Sequence, residues 1–159
     1  MPLSEPIVSQ LPIKDPMLCN GAALRKATRR ISQLYDAALA PCGLNVSQRS
    51  VLMHIRRAGR PTMTELARAM VLDRSALAHN IKPLERDGYL AQERDEIDGR
   101  IRRVVLTPAG RTKLTESNQL WRNAQDRFEK VYGAQRSAEL RTALSEIYSD
   151  EFEQAFKAA

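Results

Sequence analysis

Two apolar helical patterns joined by about three residues are the feature that most restricts what this chain can fold into. Thr62 and Glu65 have the spacing of a capping box, which predicts the start of the first helix. Asp73 is the predicted N-cap of the second helix, which runs to Gly88. Two short helices connected in this way form a helix-turn-helix. Their apolar positions are Leu66, Ala67 and Met70, followed by Ala76, Leu77, Ile81 and Leu84.

A β-hairpin is predicted directly after these helices. Two short strand patterns cover residues 89–93 and 101–106. The dipeptide Asp98-Gly99 between them favours a tight turn, because both positions tolerate positive φ. A hairpin that follows a helix-turn-helix is the winged version of that motif, so the centre of the chain predicts a winged helix-turn-helix.

Further helices are predicted on both sides of this centre. Ser47 is the predicted N-cap of a helix that ends at residues 59–61. Thr107 and Pro108 predict an N-cap with proline at the first helical position. That helix runs to about Tyr132, and a last helix covers residues 137–156. The first helix of the chain carries one apolar stripe, formed by Leu24, Ala27, Ile31, Leu34 and Ala38.

The predicted fold class is mainly α with a small β wing, in which N- and C-terminal dimerisation helices flank the winged helix-turn-helix core. The flanking helices carry more apolar surface than so small a core can cover, so we expect a homodimer. Four prolines predict a flexible arm at residues 1–16. The other predicted parts are a first dimerisation and effector-pocket helix at 17–46, the DNA-binding lobe at 47–107 and C-terminal dimerisation helices at 108–159.

The charge balance points to an anionic partner. The chain has 25 basic and 19 acidic residues, and residues 18–60 hold eight basic residues against Asp36 alone. A nucleic acid, an acidic surface or a small acid would each fit this excess. Two cysteines are too few for a disulfide-stapled fold, and the chain start does not resemble a signal peptide. Because no apolar run reaches about 18 residues, we expect a cytoplasmic protein without a membrane partner.

The sequence gives little support to an enzyme. His54 and His79 do not have metal-ligand spacing with the cysteines, and we find no glycine-rich phosphate loop or nucleophile motif. We therefore expect no catalytic residues, no metal and no cofactor.

Three linked motifs resemble the MarR family of transcriptional regulators. Residues 98–110 are similar to the family's D-x-R-x5-L-T-x-x-G wing signature, and residues 73–88 resemble its recognition helix. Residues 43–52 resemble its G-L-T-x-x-Q-x-x-V-L segment, with Asn45 in place of the usual threonine. The resemblance covers about residues 18–156. It implies a homodimeric DNA-binding regulator, usually a repressor that a small ligand or an oxidant releases from DNA.

Candidate DNA contacts follow from this resemblance and from the helix pattern. A recognition helix reads base edges in the major groove with polar side chains near its N-terminal end. Arg100 is predicted to enter the minor groove, held by an ion pair with Asp98. The other candidates are Arg74, Ser75, His79 and Asn80 for base edges, and Lys82, Arg94, Arg102 and Arg103 for phosphates. The alternative is a solvated helix face and a merely soluble hairpin. The partner would be double-stranded DNA with a palindromic operator.

The resemblance also implies an effector site between the first two helices and the dimerisation arms, where the positive charge is concentrated. Paired guanidinium groups hold anionic oxygens, so we expect an aromatic carboxylate or an acyl-coenzyme A-like effector. Arg49 stands where relatives often have an aromatic or apolar residue. The alternative is that these arginines are solvated or bind DNA phosphates. The predicted lining residues are Arg25, Arg29, Tyr35, Arg49, Met53 and His54.

Three further hypotheses stay open on the sequence alone, and the first is a redox sensor. Cys19 begins the first helix, and family relatives that sense organic peroxides carry a reactive cysteine near this place. Alignment on Tyr35 puts Cys19 two residues before the sensing position, which is Gly21 here. The second hypothesis is an architectural DNA-binding protein without a ligand response, and the third is a winged-helix module that binds another protein.

Overall fold

The structure, a computed structural model, describes residues 18–159, and the predicted arm at residues 1–16 lies outside them. Within this range the chain forms seven α-helices and a two-stranded antiparallel sheet, which confirms the predicted mainly helical fold with a small wing. The elements are α1 (Asn20–Leu39), α2 (Val46–Ala58), α3 (Met63–Ala69), α4 (Arg74–Arg86), β1 (Leu90–Arg94), β2 (Arg102–Leu106), α5 (Pro108–Tyr132), α6 (Ala134–Ile147) and α7 (Asp150–Ala158).

The hydrophobic core lies in the larger of two compact units, which extends from Tyr35 to Ala159; the described residues 18–34 belong to the other unit. Each fully buried Val, Leu or Ile side chain contributes about 1.5–3 kcal/mol to the free energy of folding. Because α4 and β2 both contribute to this core, core packing fixes where α4 and the wing lie. The fully buried apolar side chains include Val51, Leu52, Ile55, Leu66, Leu77, Ile81, Leu84, Val104 and Leu114.

The start of α2 differs from the sequence-based prediction. Asn45, and not Ser47, is the N-cap: the backbone N–H of Gln48 donates to Asn45 Oδ1 at 2.8 Å. The backbone N–H of Asn45 donates in return to Gln48 Oε1 at 3.0 Å, which completes a capping box. Asn45 can replace a threonine here because both side chains are accepted at an N-cap.

The helix starts predicted at Thr62, Asp73 and Thr107 are confirmed. The hydroxyl of Thr62 accepts from the Glu65 amide at 3.1 Å, and the Glu65 carboxylate accepts from the Thr62 amide at 2.7 Å. Asp73 Oδ1 accepts from the Ala76 amide at 2.7 Å, and Thr107 caps α5 in the same way. Local side chains therefore set where α3, α4 and α5 begin.

The turn between α3 and α4 contains a strained residue. Val71 has φ = 52°, in the left-handed region that β-branched residues avoid at a cost of about 1–2 kcal/mol. Its backbone N–H donates to Arg68 O at 3.1 Å, and the Leu72 N–H donates to Ala67 O at 2.9 Å. These two hydrogen bonds hold the tight turn that sets the angle between α3 and α4.

The loop of the wing has the length that the sequence predicts and is shifted by one residue along the chain. Leu90 pairs with Leu106 and Arg94 pairs with Arg102, so residues 95–101 form the connecting loop. Both strands begin one residue later than predicted. The Ile101 N–H donates to Asp98 O at 2.9 Å and closes a turn within this loop. Neither Asp98 nor Gly99 has positive φ, so these two residues do not form the positive-φ turn that the dipeptide favours.

A third segment completes the sheet on the other side of β2. Thr62 forms an isolated antiparallel bridge with Arg103, and the Val104 N–H donates to Pro61 O at 2.8 Å. The segment that leads into α3 is therefore tied directly to the wing.

The C-terminal part differs from the single last helix predicted at 137–156. The helix α6 ends at Ile147, and Ser149 caps a separate α7 by accepting from the Phe152 amide at 3.1 Å. An internal serine that can cap a new helix explains the break. The large side chains Val131, Ile147, Tyr148, Phe152 and Phe156 are exposed.

Among residues 18–159, we find no helix with both the length and the apolar character needed to cross a membrane.

Candidate nucleic-acid interface

One face of α4 is buried in the core and the opposite face is polar and exposed. Leu77, Ile81 and Leu84 form the buried face. The helix is continuous from Arg74 to Arg86, although Pro83 lies inside it. The side chains on the exposed face are those of Arg74, Ser75, His79 and Lys82. The structure therefore brings four of the predicted DNA-contacting residues onto one accessible helix face.

Asn80 occupies an intermediate position between the two faces. It is half-buried, and its Nδ2 donates to the carbonyl oxygen of Ala76 at 3.0 Å. The second N–H of the amide and the Oδ1 acceptor are not used by this bond. One donor and one acceptor are what the edge of an adenine base requires, so this geometry is compatible with base reading.

The tip of the wing carries Arg100, whose side chain is exposed. The predicted ion pair between Asp98 and the Arg100 guanidinium is not formed. Instead, Asp98 Oδ1 accepts from the backbone N–H of Arg100 at 3.0 Å. An aspartate two residues before an amide favours this local turn, because the short side chain reaches the backbone more easily than a distant guanidinium.

Two arginines face each other at the end of the sheet nearest the tip. Arg94 and Arg102 are register partners on β1 and β2, and both are exposed. Side chains directly opposite each other in an antiparallel pair lie about 4.5–5.5 Å apart at Cβ, and like charges there repel. Neither has a carboxylate partner among residues 18–159. A bound anion would relieve this repulsion.

Arg103, a predicted phosphate contact, has partners within the protein. Its Nε donates to Asp95 Oδ2 at 2.7 Å, and its Nη1 lies 3.3 Å from Glu65 Oε2 and 3.2 Å from Arg60 O. The side chain is half-buried. These partners engage Nε and Nη1 and tie the wing loop to the start of α3, and the phosphate contact of Arg103 stays a prediction.

Asp95 organises the wing loop and was missed by sequence reasoning. Its Oδ1 accepts from the backbone N–H groups of Ile97 at 2.9 Å and Asp98 at 3.0 Å. The hydrogen bond from the Asp98 amide, followed by those from Arg103 and Ile97, lowers the pKa of Asp95 to about 2. The available signal was an aspartate at the start of a hairpin loop, which favours an Asx turn.

We expect Asp95→Ala to disorder residues 95–101 while the core stays folded. Backbone order parameters in this loop should fall from about 0.85 to below 0.6, because three hydrogen bonds are lost. Heteronuclear NMR relaxation measures this change. Glu96→Ala is the matched control, since Glu96 is exposed and has a single contact, to Arg60 at 3.3 Å. Equal loop order in both variants would contradict the role of Asp95.

The same loop should respond to acid in a defined direction. The pKa of Asp95 is lowered on folding, so its stabilisation is present above about pH 4 and is lost as the pH falls towards 2. The amides of Ile97 and Asp98 should stay hydrogen-bonded at pH 4 in the wild-type protein. Amide temperature coefficients across this pH range measure the transition.

The predicted effector residues lie in both units, and those of the larger unit have contacts within the protein. Tyr35 donates to Gln125 Oε1 at 2.9 Å, and burial raises the pKa of its hydroxyl. Met53 is half-buried against the core. His54 Nδ1 lies 2.8 Å from the carbonyl oxygen of Ser50. In the other unit, Arg25 and Arg29 are exposed on α1.

Arg49 is buried, with 8% of its surface exposed. Its Nε donates to Ser117 Oγ at 3.1 Å and its Nη2 donates to Asn118 Oδ1 at 3.0 Å. The guanidinium carbon lies 4.7 Å from the centre of the Trp121 ring. Burial lowers the pKa of Arg49. The guanidinium is thus occupied by α5, and the structure does not present it as an open anion-binding group.

The two cysteines lie in different surroundings. Cys19 is exposed at the start of α1, where its Sγ accepts from the Ala22 amide at 3.3 Å. Cys42 is half-buried, and its thiol donates to Leu39 O at 3.0 Å. The redox role of Cys19 stays a prediction. Among residues 18–159, no three His, Cys, Asp or Glu side chains are grouped so that they could hold a metal ion.

Comparison with known proteins places this geometry in a family. The MarR family model matches residues 43–101. Two HTH-type transcriptional regulators of Bacillus subtilis are similar: YdgJ is 29% identical over 105 residues, and YwoH is 32% identical over 95 residues. The matched regions cover 66% and 60% of this chain. They span 62% of the length of YdgJ, which is less than two thirds, and 69% of the length of YwoH.

A solved structure extends the similarity over most of the chain. The M. tuberculosis transcriptional regulator MosR in complex with DNA is 31% identical, with a TM-score of 0.75. The match covers 88% of this chain and 97% of the MosR chain. Together with the observed winged helix-turn-helix, these similarities show that the chain belongs to the MarR family of transcriptional regulators.

Proposed function

We propose that the protein is a homodimeric repressor that binds a palindromic DNA operator and is released by a small anionic effector. The observation that carries the DNA contact is the arrangement of the wing. Arg94 and Arg102 repel each other across the sheet, and Arg100 extends from the tip. Phosphates beside the first two arginines and a minor groove around Arg100 would balance these charges.

The exposed face of α4 supplies the second part of the contact. Arg74, Ser75 and His79 lie near the N-terminal end of the helix, which is the end that reads base edges in a helix-turn-helix. Asn80 adds one free donor and one free acceptor. Because the core fixes α4 and the wing in one body, both can contact one face of a duplex together.

The test uses a duplex selected from a random pool by the wild-type protein. Arg100→Ala should weaken binding to most sequences and reduce the salt slope of log K by about one. Asn80→Ala should cost about 1–3 kcal/mol at particular base pairs only. Fluorescence anisotropy at several salt concentrations measures both effects. Arg127→Ala, an exposed arginine on α5, is the control that should leave the salt slope unchanged. Unchanged affinity in Arg100→Ala would contradict the wing assignment.

The dimer proposal rests on apolar surface that the single chain leaves exposed. Phe152 and Phe156 stack at 6.2 Å on α7, and they are 45% and 75% exposed. A second copy would cover them and would place two recognition helices about 34 Å apart, one turn of DNA. The dimerisation roles of α1 and of residues 108–159 belong to this proposal.

We expect the double variant Phe152→Glu, Phe156→Glu to be a monomer, because two charges would be buried at the contact. Light scattering gives the mass, and affinity for the selected duplex should fall together with it. Lys157→Glu, also exposed on α7, is the control that should stay dimeric. A double variant that keeps the dimer mass would show that α7 is not part of the dimer contact.

A further inference from the structure

A cavity of about 510 Å³ lies at the base of the wing, and none of its lining residues is among those assigned above to DNA or to the effector. It is formed where α2 ends, where one face of the sheet is open, and where α5 begins. Its apolar lining comes from Ala91, Val105, Leu106 and Pro108. Its charged lining consists of Arg56, Arg60, Glu93 and Arg111.

The charges in this cavity do not balance. Arg60 is paired with Glu93 at 3.0 Å and with Glu96 at 3.3 Å, so the carboxylate that lines the cavity is already neutralised. Arg56 and Arg111 have no carboxylate partner among residues 18–159. Two guanidinium groups without an ion-pair partner in the described part of the chain therefore lie beside an apolar surface.

Arg111 is held in place by the protein backbone. Its Nη1 donates to the carbonyl oxygen of Leu106 at 2.8 Å. This bond orients the guanidinium at the junction of β2 and α5, while its other N–H groups stay available. An oriented guanidinium binds a carboxylate through two parallel hydrogen bonds at a smaller entropic cost than a mobile one.

We propose that this cavity binds a small dianion with an apolar middle, of the linear dicarboxylate class. One carboxylate would pair with Arg56 and the other with Arg111. The methylene groups between them would contact Val105, Leu106 and Pro108. A concave apolar surface with a few charged groups at its rim is the usual form of a small-ligand site. Two guanidinium groups bind a dianion more tightly than a monoanion.

The position of the cavity gives such a ligand a way to affect DNA binding. The cavity joins the end of α2, the wing and the start of α5, so a ligand there favours one arrangement of the start of α5 relative to the wing. If that arrangement differs from the DNA-bound one, ligand and DNA oppose each other reciprocally. This step rests on the proposed function, whereas binding of the ligand does not.

The binding test compares three six-carbon probes: adipate, hexanoate and 1,6-hexanediol. Adipate should bind at least about tenfold more tightly than hexanoate, since the second charge-assisted pair adds more than one factor of ten, and the diol should not bind. Calorimetry gives the affinities. Amide shift changes should map to residues 91, 105 and 106. Equal affinities for adipate and hexanoate, or shift changes elsewhere, would overturn the proposal.

Variants identify the charged groups. Arg56→Gln and Arg111→Gln should each weaken adipate binding by about tenfold or more, and Arg111→Lys should retain part of the affinity because it keeps the charge. Arg122→Gln, an exposed arginine elsewhere on α5, should bind adipate as the wild type does. Thermal unfolding shows that each variant is folded. Wild-type affinity in the folded Arg56→Gln and Arg111→Gln variants would refute the site.

A DNA-binding experiment with adipate tests this site and the proposed function separately. Adipate should lower affinity for the selected duplex in the wild type and leave it unchanged in Arg56→Gln. Adipate binding without any effect on DNA affinity would overturn the regulatory step and support the site. Adipate binding by a protein that selects no duplex would refute the proposed function and still support the site.

Discussion

Gly110→Ala is expected to destabilise the DNA-binding lobe by about 3 kcal/mol or more, because the new methyl carbon has no room. An ideal Cβ at residue 110 would lie 2.0 Å from the carbonyl oxygen of Tyr89 and 2.9 Å from its carbonyl carbon. These are backbone atoms, so no side-chain rotation relieves the overlap. The Tyr89 oxygen also accepts from the Thr107 amide at 3.1 Å, and moving it would break that bond.

Urea unfolding followed by circular dichroism measures this effect as a fall in the midpoint at constant slope. Gly99→Ala is the matched control. Gly99 does not have positive φ, and a Cβ there meets nothing within 4 Å, so its stability should change by less than about 0.5 kcal/mol. Equal urea midpoints for the two variants would show that Tyr89 and the start of α5 can move apart at little cost in free energy. This overlap explains why the last position of the L-T-x-x-G motif, Gly110 in this chain, is a glycine.

Arg49→Ala is expected to cost about 2–4 kcal/mol of the free energy of unfolding. The truncation removes hydrogen bonds to Ser117 and Asn118 and the stacking on Trp121. It also leaves a space where a buried side chain was. Arg49→Lys should recover only part of the loss, because an ammonium group cannot reproduce the planar fork of the guanidinium.

Trp121, which is the single tryptophan of the chain, reports on this site directly. In Arg49→Ala its emission should shift to longer wavelength as water enters, and the urea midpoint should fall. Arg122→Ala, exposed and next in sequence to Trp121, should change neither. A fully stable Arg49→Ala that loses only its response to an anion would instead support the sequence-based effector assignment.

The parts of the fold that could be predicted are those encoded by neighbours in sequence. Thr62 and Glu65 lie three residues apart, and Asp73 and Thr107 each cap a helix through an amide three residues later. Apolar spacing likewise predicted which face of α4 is buried. Such signals act within one helical turn, so a single sequence carries them. The cap of α2 was misplaced because Asn45 and Ser47 are both acceptable caps, and Gln48 decides between them.

The parts that could not be predicted depend on residues far apart in the chain. Arg49 is buried by Ser117 and Asn118, which follow it by 68 and 69 residues. Arg103 is held by Glu65, which lies 38 residues before it. The sequence near a wing tip looks the same whether an arginine faces a phosphate or an internal carboxylate. Only the tertiary structure shows that Arg103 pairs with carboxylates and that, among residues 18–159, Arg102 does not.

The bridge between Thr62 and Arg103 also determines which edge of the sheet other molecules can reach. It covers one side of β2 while β1 covers the other, so the outer side of β1 is the open edge among the described residues. That edge is five residues long and presents Gln92, Glu93 and Arg94 to solvent. Short, charged edges oppose the addition of a strand from another chain. The wing therefore resists edge-to-edge polymerisation, even at high protein concentration.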